Sequence, residues 1–157
     1  MAIMTDDQLR AEFARLACEY AALKVPYQHR GTDRHGCDCT GLLIGIAREI
    51  GFLRNYRLRN YCLDWNLHAG AGDYILTELT HFADPLAQYL AEPGDIPIMS
   101  FGRCAAHAGI LVKPLMMVHS WRSGCYCRYA KLTKSMWAKR WNMTFRWNLE
   151  KLEALCR

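Results

Sequence analysis

Glu92-Pro93-Gly94-Asp95 followed by Ile96-Pro97-Ile98-Met99-Ser100-Phe101, and a little later Ala106-His107-Ala108-Gly109-Ile110-Leu111-Val112, is the stretch on which the fold turns. The first four residues are turn formers. The apolar runs after them are short and rich in β-branched residues, so residues 96–101 and 106–112 read as strands. Further strands are expected at 116–122, across the turn Lys113-Pro114-Leu115, then at 125–132 and at 143–147. Upstream the texture is helical. Residues 6–22 place Leu9, Phe13, Leu16 and Tyr20 on one face, with Thr5 as N-cap, Asp6 and Asp7 in the first turn and Pro26 beyond the end. A second helix is expected from Cys39 to about residue 50, with Leu42, Leu43, Ile46 and Ile50 inward and Gly51 as its stop. Between the two, residues 27–38 form a polar loop. Residues 53–72 read as irregular and 73–82 as helical. Asp84-Pro85 reads as the start of a short helix to about residue 90, and residues 148–157 as a short helical tail. Helices first and strands later predict an α+β domain, N-terminal helices packed on an antiparallel sheet.

The composition agrees with a folded domain. The chain has 157 residues, 52% hydrophobic and 22% charged, which excludes a disordered chain and a small disulfide-stapled scaffold. No apolar run approaches membrane-span length, and Met1-Ala-Ile-Met-Thr-Asp-Asp lacks the basic and apolar blocks of a signal peptide. The net charge is +5, unevenly spread: residues 1–95 hold nine basic and thirteen acidic side chains, residues 96–149 nine basic and no acid. A basic half fits a nucleic acid, an anionic surface or an acidic partner, or is simply a solvated face. Nucleic acid is the weaker of these expectations. Trp121, Tyr126, Tyr129, Trp137, Trp141, Phe145 and Trp147 lie among the basic residues, but aromatics in a strand region usually pack a core.

Eight cysteines allow a disulfide reading, but the absent signal peptide and the seven methionines favour a reducing cytosol, where most thiols act as small apolar groups. Cys37/Cys39 and Cys125/Cys127 have one residue between them, shorter than zinc sites use, so no metal is expected even with His35 near. One thiol stands apart. Cys39 falls at the start of the second helix, where unpaired amides and the helix dipole favour a thiolate, and Gly41 permits close backbone packing there. Two histidines follow on the strands. If 106–112 and 116–122 form a hairpin centred near Lys113, His107 opposes His119, Gly109 opposes Met117 and Leu111 opposes Leu115. His107 could then take the proton of Cys39 while His119 orients it; a one-residue slip would separate them.

Taken in order, Pro26-Tyr27, Gly36-Cys37-Asp38-Cys39-Thr40-Gly41-Leu42, Glu92-Pro93-Gly94-Asp95-Ile96, His107-Ala108-Gly109-Ile110 and Met117-Val118-His119 resemble the motifs of the NlpC superfamily of cell-wall cysteine peptidases, over roughly residues 6–147. The resemblance implies a papain-like α+β fold, with one peptidase domain over residues 1–147 and a helical tail over 148–157. By position Cys39 is the nucleophile, His107 the base and His119 the third polar residue. Tyr27 matches the family tyrosine that lines the cleft. Asp38 matches an acid that in some relatives contacts the substrate's amine. Such enzymes cut peptidoglycan stem peptides, often between D-γ-glutamate and the diamino acid, and need no cofactor.

Pro26-Tyr27-Gln28-His29-Arg30 and the short layout look most like the branch carried by tailed phages and phage-like particles. That implies a protein made in the bacterial cytoplasm, assembled with tail hub or tail-tip proteins, and acting at the host cell wall. Many relatives have a Gly-Gly pair where this chain has His29-Arg30-Gly31, which puts the shape of the substrate cleft in question. Many also carry a wall-binding domain, so delivery is expected to fall to a tail partner. A structural tail component that keeps the peptidase fold for docking is the competing expectation.

Overall fold

The computed structural model describes residues 4–61 and 74–156. Helix α1, Asp6–Ala22, starts at a reciprocal cap: Gln8 donates its backbone N–H to the Thr5 hydroxyl, and the Thr5 N–H donates to the Gln8 side chain. It buries Leu9, Phe13, Leu16 and Tyr20, the face that the spacing predicts. The loop after it holds a two-stranded ribbon, β1 (Thr32–Asp33) and β2 (Gly36–Cys37), too short to leave a sequence signal. Helix α2, Cys39–Ile50, follows at once. Its N-cap is Asp38, and it ends at Gly51 in the left-handed conformation, φ 115°, which glycine adopts without strain.

Helix α3 spans Tyr74–Leu79, inside the stretch expected to be helical. The expectation for residues 62–73 lies outside the described residues. The strands are β3 (Ala83–Leu86), β4 (Ile96–Phe101), β5 (Cys104–Ala108), β6 (Ile110–Lys113), β7 (Met116–Ser120), β8 (Cys127–Lys131) and β9 (Trp141–Trp147). Helices α4 (Met136–Arg140) and α5 (Leu149–Ala154) flank the last strand. One antiparallel sheet has the order β3-β9-β4-β5, the other β6-β7-β8. Both helix α1 and helix α2 pack on them, and Phe13 stacks on Trp147 at 3.7 Å between ring centres. Among the described residues no helix is long and apolar enough to cross a membrane.

Three expectations need correction. Asp84-Pro85 starts no helix: it lies in β3, paired with β9, and only Gln88–Leu90 turns as a 3-10 helix. Strand β3 is at a sheet edge, where proline's missing N–H is tolerated. Residues 106–112 are not one strand. The chain leaves the first sheet after Ala108 and enters the second at Ile110, with Gly109 between. A Cβ on Gly109 would come within 2.7 Å of Met117 Sδ and 2.9 Å of the Val118 carbonyl oxygen, so glycine is what lets the crossing pass so close to β7. The hairpin register also differs. Ile110 opposes Val118 and Leu111 opposes Met117, a shift of two residues, because the turn tightens at Pro114-Leu115, with Leu115 at φ 58°. Helix α4 was not expected at all.

Candidate active site

Asp38 and Cys39 owe their positions to the cap. Asp38 is buried, and its Oδ1 accepts the Gly41 N–H at 2.8 Å, closing the first turn of α2. Its Oδ2 accepts the Arg30 N–H at 2.7 Å and the Tyr61 hydroxyl. The Arg30 loop crosses the helix start so closely that a Cβ on Gly41 would lie 1.7 Å from the Gly31 carbonyl oxygen. Cys39 is thus the first helical residue, held half-buried in a cleft of about 190 Å³. The Ala108 backbone amide reaches its sulfur. Ala108 is the neighbour of His107, so the helix start and β5 meet at this point.

His107 is fully buried and lines the same cleft. Its Nε2 lies 2.8 Å from Nδ1 of His119. Its Nδ1 is buried without a hydrogen-bond partner among the described residues. The two histidines are not opposed partners of one hairpin as expected. His107 pairs with Met99 on β4, and His119 with Arg128 on β8. They meet across the junction of the two sheets. The two-residue shift kept His119 on the inner face because side chains alternate with period two.

Tryptophans enclose the pair. Trp121 lies 4.8 Å and Trp137 5.0 Å from the His107 ring, and Trp137 also lies 4.8 Å from His119. Phe101 stacks on Trp121, and the Arg140 guanidinium covers Phe101. This dry box sets the charge state. Burial and the neighbouring His119 hold His107 well below the ordinary imidazole value, and burial with the Arg128 charge lowers His119 to about 4. The Cys39 thiol is pushed up to about 12, by burial first and the Asp38 charge second, against the Ala108 and Thr40 hydrogen bonds. Burial and Asp38 thus oppose the preference for a thiolate that the helix start supplies. The site rests as a neutral thiol beside neutral imidazoles.

Tyr27 lines the cleft from the other side, half-buried. Its hydroxyl is raised to about 12 by burial and by Asp38 and Cys39, with Arg122 acting against them. All five residues singled out from the sequence, Tyr27, Asp38, Cys39, His107 and His119, are therefore gathered here, four on the cleft and His119 behind His107. Sequence reasoning missed Tyr61, which donates to Asp38, and named Trp137, which comes from the unexpected helix α4, only among the aromatics of the basic half. It placed Trp121 and Arg122 only in the basic, aromatic half. None of these carries a local signal, since each matters through a contact distant in sequence.

The NlpC/P60 family profile matches residues 24–146. No curated protein matches the chain. Among solved structures, the NlpC/P60 domain of the peptidoglycan hydrolase SagA is similar at 14% identity and TM-score 0.57, covering 86% of this chain and 96% of that one. An NlpC/P60 family protein from Bacillus cereus ATCC 10987 is similar at 14% identity and TM-score 0.64, covering 88% of this chain and 40% of its own. NlpC1 from Trichomonas vaginalis is similar at 16% identity and TM-score 0.63, covering 93% and 45%. At these identities the likeness concerns the fold, and this chain spans less than half of the last two proteins. The α+β architecture and a profile match that runs from before Tyr27 to beyond His119 lead to one conclusion: the chain belongs to the NlpC/P60 family.

Proposed function

We propose that this chain is a cysteine endopeptidase that cuts peptidoglycan stem peptides, with Cys39 as nucleophile, His107 as base and His119 as its orienting partner. The observation that carries the reading is the His107 ring: Nε2 is tied to His119 at 2.8 Å, while Nδ1 is left unpartnered in the cleft that Cys39 lines. With its proton on Nε2, donated to His119 Nδ1, His107 keeps the Nδ1 lone pair free to take the thiol proton as sulfur attacks the carbonyl carbon. The Cys39 backbone N–H, at the start of α2, is the first donor for the oxyanion that forms. The half-buried Tyr27 hydroxyl in the same cleft is a candidate second donor. Protonated His107 then passes its proton to the leaving amine, and water hydrolyses the thioester with the roles reversed.

Asp38 is the acid assigned to the substrate's free amine, and Arg122 at the rim offers a counter-charge for a substrate carboxylate. Those charges suit a stem peptide, and the bond proposed is the one from D-γ-glutamate to the diamino acid. We further place the protein in a phage or phage-like tail, made in the bacterial cytoplasm, joined to tail hub or tip proteins and acting at the host wall. This placement rests on the resemblance of Pro26–Arg30 to that branch.

The activity is tested by release of free amines from purified sacculi. The wild type releases them and Cys39→Ala, folded by circular dichroism, does not. Equal release by both would remove Cys39 from the reaction. The tail placement is tested by probing purified particles for the chain; its absence from them would refute that placement alone.

A further inference from the structure

Beneath the cleft, three backbone segments are tied into one junction. The Cys37 N–H donates to the Pro26 carbonyl at 3.1 Å, and the Gln28 N–H to the Cys37 carbonyl at 3.1 Å. The Tyr27 N–H donates to the Cys125 carbonyl, and the Cys127 N–H to the Val25 carbonyl, both at 2.7 Å. The Ser120 hydroxyl donates to the Cys37 carbonyl at 2.6 Å. This junction carries Tyr27 on one segment and, two residues beyond Cys37, the nucleophile on another. At its centre the Cys37 and Cys127 sulfurs face each other, fully buried, 3.4 Å apart. Neither thiol has a part in the peptidase chemistry.

We propose that Cys37 and Cys127 are a modification site: a disulfide, formed by exchange with a low-molecular-weight disulfide, that cross-links the strand leading into Cys39 to β8. The thiols already touch, and the backbone around both is fixed. Closing to a bond of about 2.05 Å needs side-chain rotation and a small approach, with no change of register. Strand β8 is the outer strand of its sheet, and its start, next to exposed Cys125, is held to Val25 and Tyr27 by only two backbone hydrogen bonds, so transient opening of that short link admits a small reagent. The hydrogen bond with Cys37 lowers the Cys127 thiol, which makes it the first attacker.

The steps balance. Cys127 thiolate attacks one sulfur of the reagent and expels the other half as a thiolate. Cys37, losing its proton to solvent, then attacks the Cys127 sulfur and expels the second half. Two protein thiols are oxidised, and the reagent is reduced to two thiols. The pair is separated by 90 residues, so the link closes a long loop of the unfolded chain and raises thermal stability. A cytosol keeps the pair reduced, and an oxidising exterior closes it. The inference goes beyond the peptidase reading and does not depend on it.

The test uses the full chain carrying Cys39→Ser and Cys125→Ser, so that tryptic peptides 35–48 and 123–128 each retain one cysteine. The folded protein is incubated with oxidised glutathione, alkylated, denatured and mapped by mass. The expected result is peptides 35–48 and 123–128 joined with the loss of two hydrogens. A Tm rise of about 5–10 °C, reversed by dithiothreitol, accompanies it. The same link forms in the wild-type chain. Cys37 and Cys127 still open to alkylation after denaturation, retained as glutathione adducts, or joined to other cysteines would overturn the proposal. The map uses no substrate, so it stands or falls separately from the peptidase activity.

Discussion

Cys39 is under two opposing influences, a helix start that favours a thiolate and a buried setting beside Asp38 that disfavours it. The second outweighs the first, pushing the thiol up to about 12, so the proposed reaction begins with proton transfer to a neutral His107. Burial lowers both histidines, and the protonated, inactive form of the base therefore appears only well below the ordinary imidazole value of about 6.5. The acid limb of kcat/KM on a soluble stem peptide is expected clearly below that value; a limb at 6.5 would show that His107 is not desolvated. His119 also links pH to stability. It charges near 6.5 when unfolded and near 4 when folded, so between those values the unfolded chain binds more protons. Stability is complete above about 6.5 and is lost as pH falls toward 4. Tm measured from pH 7 to pH 4 should fall, and His119→Gln should remove part of that fall; a wild-type Tm flat over this window would contradict the burial argument. At this scale the sequence was readable where a residue's role is local. Cys39 follows a cap residue and precedes Gly41 and an apolar run, and all of that is short-range. Tyr61 was not readable, since its hydroxyl bond to Asp38 spans 23 residues from an irregular segment.

Elements decide how the histidines meet. The strand that carries His107 changes sheets at Gly109, and the one that carries His119 runs back beneath that crossing. Gly109→Ala would set a Cβ 2.9 Å from the Val118 carbonyl oxygen, and a loss of about 1–3 kcal/mol is expected in chemical denaturation; unchanged stability would mean the crossing is looser than described. Helix α4 contributes Trp137, which packs on both imidazoles. Trp137→Ala should cost about 3–5 kcal/mol and move the acid limb up toward 6.5, while Trp137→Phe keeps most of both. An acid limb unmoved in a folded Trp137→Ala protein would remove the ring's part in keeping the base dry. Most elements were legible from periodicity and punctuation: α1 from its stripe, α2 from its inward Leu42, Leu43 and Ile46 and its stop at Gly51, β4 after Glu92-Pro93-Gly94-Asp95. The exceptions have physical causes. Pro85 reads as a helix opener but is equally at home on an edge strand. The turn at Pro114-Leu115 is tighter than the symmetric hairpin assumed. That error moved every pair by two residues and left His119 on the inner face, so the histidines meet across the junction of the two sheets instead of within one hairpin.

Across the whole molecule, the helical half carries Cys39, the proposed nucleophile, and the acid-free half His107, the proposed base. Residues 96–149 expose Arg103, Arg122, Arg128, Lys131, Lys134 and Lys139. Arg122 lies at the cleft rim, and Arg128 and Lys131 border the hollow behind His119. The aromatics of this half pack mainly inward: Trp147 lies against Phe13 and Phe82, and Trp121 and Trp137 against the histidines. The basic residues, rather than stacking platforms, are what this surface offers a partner. Binding to purified anionic cell walls is therefore expected to weaken steeply as ionic strength rises from about 50 to 500 mM; salt-independent binding would assign attachment to something other than charge. The central claim is narrower than attachment. It is that Cys39, with His107 and His119, cuts the stem peptide, and mass analysis of muropeptides tests it most directly. After incubation with the wild type, the account predicts paired products split between D-γ-glutamate and the diamino acid, absent with Cys39→Ala. Muropeptides left intact by a folded wild-type protein, or cut equally by the variant, would contradict it.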